Sequence, residues 1–343
     1  MRAAFARAAA AIPAERRDRR LCLARRPVRL AVAGSALAGA VAATFAHLDD
    51  GEAAPEDAAA PAIELWDEQA AGVARPPLTA PALLAWGREE WRMTSHAGHR
   101  YLREERPERV AWLDRGHGRL VGSFRAGTAL SLQERGRPLA RMMGQLYRGF
   151  GLVRLHAGLV ARGSAGVLLA GASGSGKTAC TLDCVAAGFA FLGDDSVGLE
   201  RDADGRFWGH SLYGSANLLP FHLARAPALA AHALPPGAGE DKALLLPAHV
   251  PGCRAARLAR IAAILLPRPA EDGATRIAPA APAQALPLLL PLGADHRQGG
   301  LGAAEFARLG ALVRAVPCFH LRQGADPAAV AGAIAALLER VAR

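Results

Sequence analysis

With 343 residues, 51% hydrophobic and 21% charged, the chain is long enough to bury a sizeable core, which excludes a disordered or fibrous protein. The formal net charge is +10 and 39 of the 41 basic residues are arginine, but they are scattered. The cluster Arg16, Arg17, Arg19, Arg20, Arg25 and Arg26 lacks interleaved aromatics, which argues against a specific nucleic-acid module.

Residues 1 to 26 read as a basic flexible arm, 27 to 150 as a smaller α/β region, and 151 to 343 as the larger domain. Aromatic residues make up only 5%, so Leu, Val and Ala fill the core and Ala-rich helices carry weak periodicity. A strand is expected at Val28 to Ala33 and a helix from Ser35 to Leu48. The apolar stretch Leu30 to Leu48 is mostly Ala and Gly, broken by Ser35, Thr44 and His47, so neither a spanning helix nor a signal peptide is expected there. Asp49 to Pro61 is a charged, Ala/Pro-rich loop, Ile63 to Trp66 a strand, Leu83 to Trp91 helical, and Val110 to Phe124 a strand pair turning at Asp114 to Gly118. A helix follows at Pro138 to Phe150.

Beyond it, Leu152 to Leu159 reads as one strand carrying His156, and Gly166 to Ala170 as a second. A helix from Lys177 stops at Gly188, and Phe189 to Gly193 is a buried strand that delivers Asp194 and Asp195. Cys180 and Cys184, four apart on that helix, read as small buried hydrophobes. With Cys22, Cys253 and Cys318 they form no CxxC pair, disulfide framework or metal set, a usage that fits a reducing cytoplasm. Ile261 to Leu266 is a strand ended by Pro267, Glu271 to Pro291 is irregular, and Ala303 to Ala315 is a helix. Cys318 to Leu321 is a strand, and Asp326-Pro327 caps a last helix reaching Val341.

Gly171, Ala172, Ser173, Gly174, Ser175, Gly176, Lys177 and Thr178 satisfy GxxxxGK[ST] at every fixed position, between a strand and a helix. Glycines let the backbone wrap so that amide N–H groups face a phosphate, the helix adds its positive end, and lysine reaches the terminal phosphates. The Thr178 hydroxyl is the expected Mg²⁺ ligand, so the cofactors expected are ATP and Mg²⁺. Asp194 and Asp195 follow the next strand. One carboxylate can hold the metal while its neighbour takes a proton from an attacking hydroxyl. His156 is a candidate to orient Asp194. Lysine occurs at only two positions, Lys177 and Lys242, and a compact ammonium differs from guanidinium at a phosphate, which marks Lys242 as a possible accessory group. At this point a kinase, an ATPase or switch, and an ATP-binding protein without turnover all remain open.

Leu155 to Gly158 (LHAG), Val167 to Thr178 (VLLAGASGSGKT) and Ala187 to Val197 (AGFAFLGDDSV) together resemble the catalytic core of bacterial HPr kinase/phosphorylase and its HPr-kinase-related serine kinases. The histidine stands 21 positions before the loop lysine and the first aspartate 17 after it, as in that family. The resemblance implies a P-loop fold related to phosphoenolpyruvate carboxykinase, with a γ-phosphoryl group passing from ATP to a serine hydroxyl of a protein or peptide. It also implies Lys177 on the phosphates, Thr178 and Asp195 on the metal side, Asp194 as catalytic base, His156 as its partner, and a homo-oligomeric assembly. The chain departs from the pattern at Ala179, where an acidic residue is expected, and across Arg201 to Pro220, which lacks the glycine-rich signature tied to phosphorylase activity. The acceptor is left open by these departures.

Overall fold

The computed structural model describes residues 1–52, 60–77, 100–290 and 302–341, together with the backbone of 92–96. The helix expected at Leu83 to Trp91 and the middle of the Asp49 to Pro61 loop lie outside the described residues. The chain divides into two compact units, Met1–Leu152 and Val153–Arg343, each a mixed α/β assembly. Among the described residues no helix is long and apolar enough to cross a membrane.

The first unit contains α1 (Arg2–Ala11), β1 (Arg16–Leu23), β2 (Arg26–Ala33), α2 (Ser35–Phe45), β3 (Ala62–Asp67), α3 (Glu68–Ala71), β4 (Arg92–His96), β5 (Tyr101–Arg106), β6 (Arg109–Asp114), β7 (Arg119–Phe124), α4 (Leu132–Gly136) and α5 (Ala140–Gly149). Its sheet runs β1-β2-β3-β7-β6-β5-β4, with β2, β3 and β7 parallel and the flanking strands antiparallel. The first 26 residues are therefore ordered rather than a flexible arm. Ala4, Phe5, Ala8 and Ala9 bury one face of α1 against Ala31, Ala33, Trp66 and Val121. The arginines of β1 lie along the edge of the sheet, where charge discourages further strand pairing. The β1–β2 turn passes through Ala24 and Arg25 in left-handed conformation, with neither the Gly nor the Asn that normally announces such a hairpin.

The second unit opens with β8 (Val153–Leu155), β9 (Ala157–Arg162), β10 (Ala165–Ala170), α6 (Lys177–Ala186), β11 (Ala190–Gly193), β12 (Val197–Arg201), β13 (Phe207–Ser211), β14 (Ala216–Leu218), α7 (Pro220–Arg225) and α8 (Pro227–Ala230). It continues through β15 (Ala243–Leu245), β16 (Leu258–Pro269), β17 (Arg276–Pro279), α9 (Pro282–Leu289), α10 (Ala303–Ala315), β18 (Cys318–Gln323) and α11 (Pro327–Val341). The main sheet runs β11-β9-β10-β16-β13-β12-β8, and β18 and β17 extend it beside the far half of β16. Strand alternation divides the core. Val167 and Leu169 of β10 face α6 and α11, whose Val330, Ile334, Leu337 and Leu338 recur at helical spacing. Leu168 and Ala170 face α9 and α10 through Ala285, Leu289, Leu309 and Leu312.

Three expectations are corrected here. The strand expected across Leu152 to Leu159 breaks at His156, because β8 pairs with β12 whereas β9 pairs with β10 and β11. Pro267 does not end its strand. Pairing with β10 stops at Leu265, so Pro267, opposite Leu321, occupies a stretch flanked by β18 alone, where a missing N–H is tolerated. Glu271 to Pro291 contains β17 and α9. This helix starts on Pro282, the Gln284 side chain accepts from the Ala281 N–H at 3.0 Å, and burial of Ala285 and Leu289 offsets its internal Pro287.

Behind the sheet, α6 and α7 are clamped together. Arg225 Nε and Nη2 donate to the two carboxylate oxygens of Asp183 at 2.9 and 2.8 Å, and Gln323 Nε2 donates to Asp183 at 3.1 Å. Arg225 also donates to the carbonyls of Gly324 and Ala325, both at 3.1 Å. The Asp183 side chain is fully buried, so removing its partner charge strands an ion. Replacing Arg225 with Ala is expected to cost about 3 kcal/mol of unfolding free energy, read as a lowered urea midpoint.

Candidate functional site

Pairing fixes which side chains meet. β9 runs antiparallel to both of its neighbours, with Ala157 opposite Ala170 of β10 and Leu159 opposite Gly193 of β11. The start of β9 therefore lies beside the ends of β10 and β11. His156, the glycine-rich loop from Gly171 and the Asp194-Asp195 pair are delivered to one edge of the sheet.

Within the loop, Gly174 and Gly176 adopt φ of 78° and 99°, conformations that L side chains rarely take. A Cβ on Gly176 would also run into the side-chain oxygen of Gln323, and one on Gly171 into the Ser175 hydroxyl. Ala172 accepts from the Ser175 N–H at 3.2 Å, which tightens the turn, while Ser173 is exposed. Gly176 caps α6, whose first N–H groups have no intrahelical acceptor. The Ser175 hydroxyl is buried without a partner, an orphaned donor inside the cradle. Lys177, 4% exposed, lays its ammonium between the carbonyls of Gly171 and Ala172 at 2.7 and 2.9 Å. Burial lowers its pKa, and the carboxylates of Asp195 and then Asp194 oppose that shift.

The two aspartates have separate environments. Asp194 is buried, and the Thr178 hydroxyl lies 3.1 Å from each of its oxygens. Asp195 is less buried and sits at φ 61°, a left-handed turn residue, so the pair diverges through a turn rather than along a continuing strand. His156 meets Asp195: Nδ1 is 3.2 Å from its carbonyl oxygen and Nε2 is 3.8 Å from its carboxylate. A carbonyl only accepts, so this contact places a proton on Nδ1 and turns Nε2 toward the Asp195 carboxylate. These contacts set the imidazole beside Asp195 and the threonine hydroxyl on Asp194, while the pairing of His156 with Asp194 stays what the resemblance implies.

His222 was not singled out in the sequence. It is buried on α7, and its Nδ1 accepts from the Leu219 N–H at 3.0 Å, which puts the proton of the neutral ring on Nε2. Burial and then the Lys242 ammonium lower its pKa to about 4, with the Asp195 carboxylate acting in the opposite sense. A lone histidine before an irregular stretch carries no periodic or motif signal. Lys242 itself is exposed at the start of β15.

Among the described residues no group of three or more His, Cys, Asp or Glu side chains forms a metal cluster. The oxygens of Thr178 and Asp194 suit a hard cation that draws its remaining ligands from phosphates and water. The orphaned Ser175 hydroxyl and the α6 N–H groups likewise suit an anion in the cradle.

No family model matches the sequence, and no curated protein matches it. Among solved structures, the chain is similar to the HPr(Ser) kinase/phosphatase from Coxiella burnetii, with 11% sequence identity and a TM-score of 0.32 over 56% of this chain and 99% of that one. A likeness that distant carries nothing about the site, whose own residues supply the functional reading.

Two outcomes follow from this geometry. Gly176→Ala should lower stability by about 1–2 kcal/mol in chemical denaturation, because it adds left-handed strain and a clash with Gln323. His222 has its folded pKa below the unfolded value, so the unfolded chain binds more protons between about pH 4 and 6.5. Stability should therefore fall as pH drops through that window, and His222→Gln should flatten the slope.

Proposed function

We propose that the chain is an ATP- and Mg²⁺-dependent phosphotransferase of the HPr-kinase-related type, moving the γ-phosphoryl group to a hydroxyl, that of a serine in a protein or peptide. The observation that carries the reading is the meeting of the GxxxxGKT loop with two adjacent carboxylates that have different partners, Thr178 on Asp194 and His156 on Asp195. A phosphate-binding turn alone needs no second carboxylate backed by an imidazole. The P-loop fold implied by the resemblance has a glycine-rich loop between a buried strand and a helix, as at β10 and α6.

In this reading the amide N–H groups at the start of α6 and the Lys177 ammonium hold the nucleotide phosphates. Thr178 and Asp194 would hold Mg²⁺, which supplies charge neutralisation on the phosphates when bound. Asp194 thereby takes the metal side. Asp195, more accessible and backed by His156, takes the acceptor side as the general base. As the acceptor oxygen bonds to the γ-phosphorus and the bond to the β-phosphate oxygen breaks, the hydroxyl proton passes to Asp195, and ADP departs. His156, with Nε2 turned toward the Asp195 carboxylate, would orient that carboxylate for the transfer.

The test is incubation with γ-labelled ATP, Mg²⁺ and a protein extract of the source cell. Acid-stable label is expected on a discrete acceptor. Asp195→Asn should lower the transfer rate about 100-fold or more while nucleotide affinity persists. Asp194→Asn should instead raise the Mg²⁺ concentration needed for half-maximal transfer. Free phosphate with no labelled acceptor, abolished by both substitutions, would replace this reading with an ATPase.

A further inference from the structure

Three parallel strands end on one edge of the second unit. β10 pairs with β16 as far as Leu169, opposite Leu265, and β16 runs on to Pro269, opposite Gln323 at the end of β18. Gln323 therefore lies on the edge from which the glycine-rich loop leaves β10, the carboxyl-end edge at which open α/β sheets bind ligands.

Its side chain reaches the loop. A Cβ built on Gly176 collides with Gln323 Oε1 and comes within 3.5 Å of Cδ, so the amide fills the space into which any other residue would project, with its oxygen against the Gly176 Cα. Gln323 is buried, and its Nε2 donates to Asp183 at 3.1 Å. Asp183 also receives both hydrogen bonds from Arg225. A carboxylate paired with a guanidinium only accepts, so it takes the amide N–H and turns the amide oxygen toward Gly176. The backbone around Gln323 is held as well. Its carbonyl accepts from the Ala270 N–H at 2.9 Å, and the Gly324 N–H donates to the Thr275 hydroxyl at 3.2 Å. Arg225 donates to the carbonyls of Gly324 and Ala325.

We propose that Gln323 is a positioning residue of the phosphate site: its amide, aimed by the Asp183–Arg225 pair, is the stop against which Gly176 rests. The assignment rests on the nucleotide-binding part of the reading above. Gly176, at φ 99°, is where the loop turns into α6. A glycine backbone has more conformations open to it than any other, so the residue alone does not select this one. An oxygen packed on its Cα and anchored to a buried ion pair removes part of that freedom, and the Cα–H groups attract the oxygen weakly. The first N–H groups of α6 are then set before a phosphate arrives, and binding costs less ordering. A purely architectural role, in which Gln323 only satisfies Asp183, gives lost stability with unchanged nucleotide affinity in the folded chain.

The test measures affinity for fluorescent ADP with Mg²⁺, and urea unfolding, on the full chain. Gln323→Leu keeps apolar bulk but has neither the donor nor the oxygen. It should weaken ADP about tenfold under conditions where circular dichroism shows the chain folded. A double-mutant cycle reads the contact itself and serves equally if Gln323→Leu does not fold. Gln323→Ala removes the atom that a Cβ on Gly176 hits, so Gly176→Ala should weaken ADP about fivefold less in that background than in wild type. Wild-type affinity in Gln323→Leu overturns the assignment, as do effects of the two alanine substitutions that combine without coupling. If wild type binds no ADP while the urea midpoints still show coupling between Gly176 and Gln323, the contact stands, the nucleotide reading has failed, and the assignment falls with that reading.

Discussion

The antiparallel pairing of β9 with both β10 and β11 is the constraint on which the site depends. It turns three segments distant in sequence into neighbours, since the start of one strand must lie beside the ends of the other two. The sheet is buried on both faces, by α6 and α11 on one side and α9 and α10 on the other. A one-residue slip of β9 would move Leu159 and Ala161 from one core to the other, so the register, and with it the positions of His156 and Asp194, is held by packing. The proposed chemistry stands at a sheet edge whose register the core holds.

Electrostatics then divides labour among groups that sequence alone presents as equivalent. Two adjacent aspartates differ because one receives a threonine hydroxyl in a buried setting and the other turns out through a left-handed residue to meet an imidazole. Two histidines are held by opposite backbone groups: a carbonyl accepts from His156 Nδ1, while a backbone N–H donates to His222 Nδ1. The buried Asp183–Arg225 bridge ties α7 to α6.

How much of this could be read in the sequence depended on the kind of signal. The glycine-rich loop, its helix and the following acid pair were legible because left-handed glycines, a lysine and a helix start occur at fixed spacing. The hairpin at Val110 to Phe124 and the helix at Ala303 to Ala315 were legible through alternation, turn residues and periodicity. The first helix was not, because a face made of Ala4, Ala8 and Ala9 with a single Phe5 hardly differs in hydropathy from its other faces. Nor was the β1–β2 hairpin, whose turn uses Ala24 and Arg25 where glycine or asparagine would be the cue. Partners across the site were invisible for a different reason. Which backbone and side-chain groups His156 meets depends on the conformation of Asp195, and the burial of His222 depends on a turn that no motif announces.

The central claim is that the edge formed by β9, β10 and β11 binds ATP through Mg²⁺ at Lys177, Thr178 and Asp194. Calorimetric titration of the chain with ATP, with and without Mg²⁺, tests it most directly when wild type is compared with Thr178→Val. The account predicts Mg²⁺-dependent binding at one site, with its Mg²⁺ dependence lost in the variant. Binding that ignores both Mg²⁺ and Thr178, or no binding by the folded wild-type chain, would contradict it.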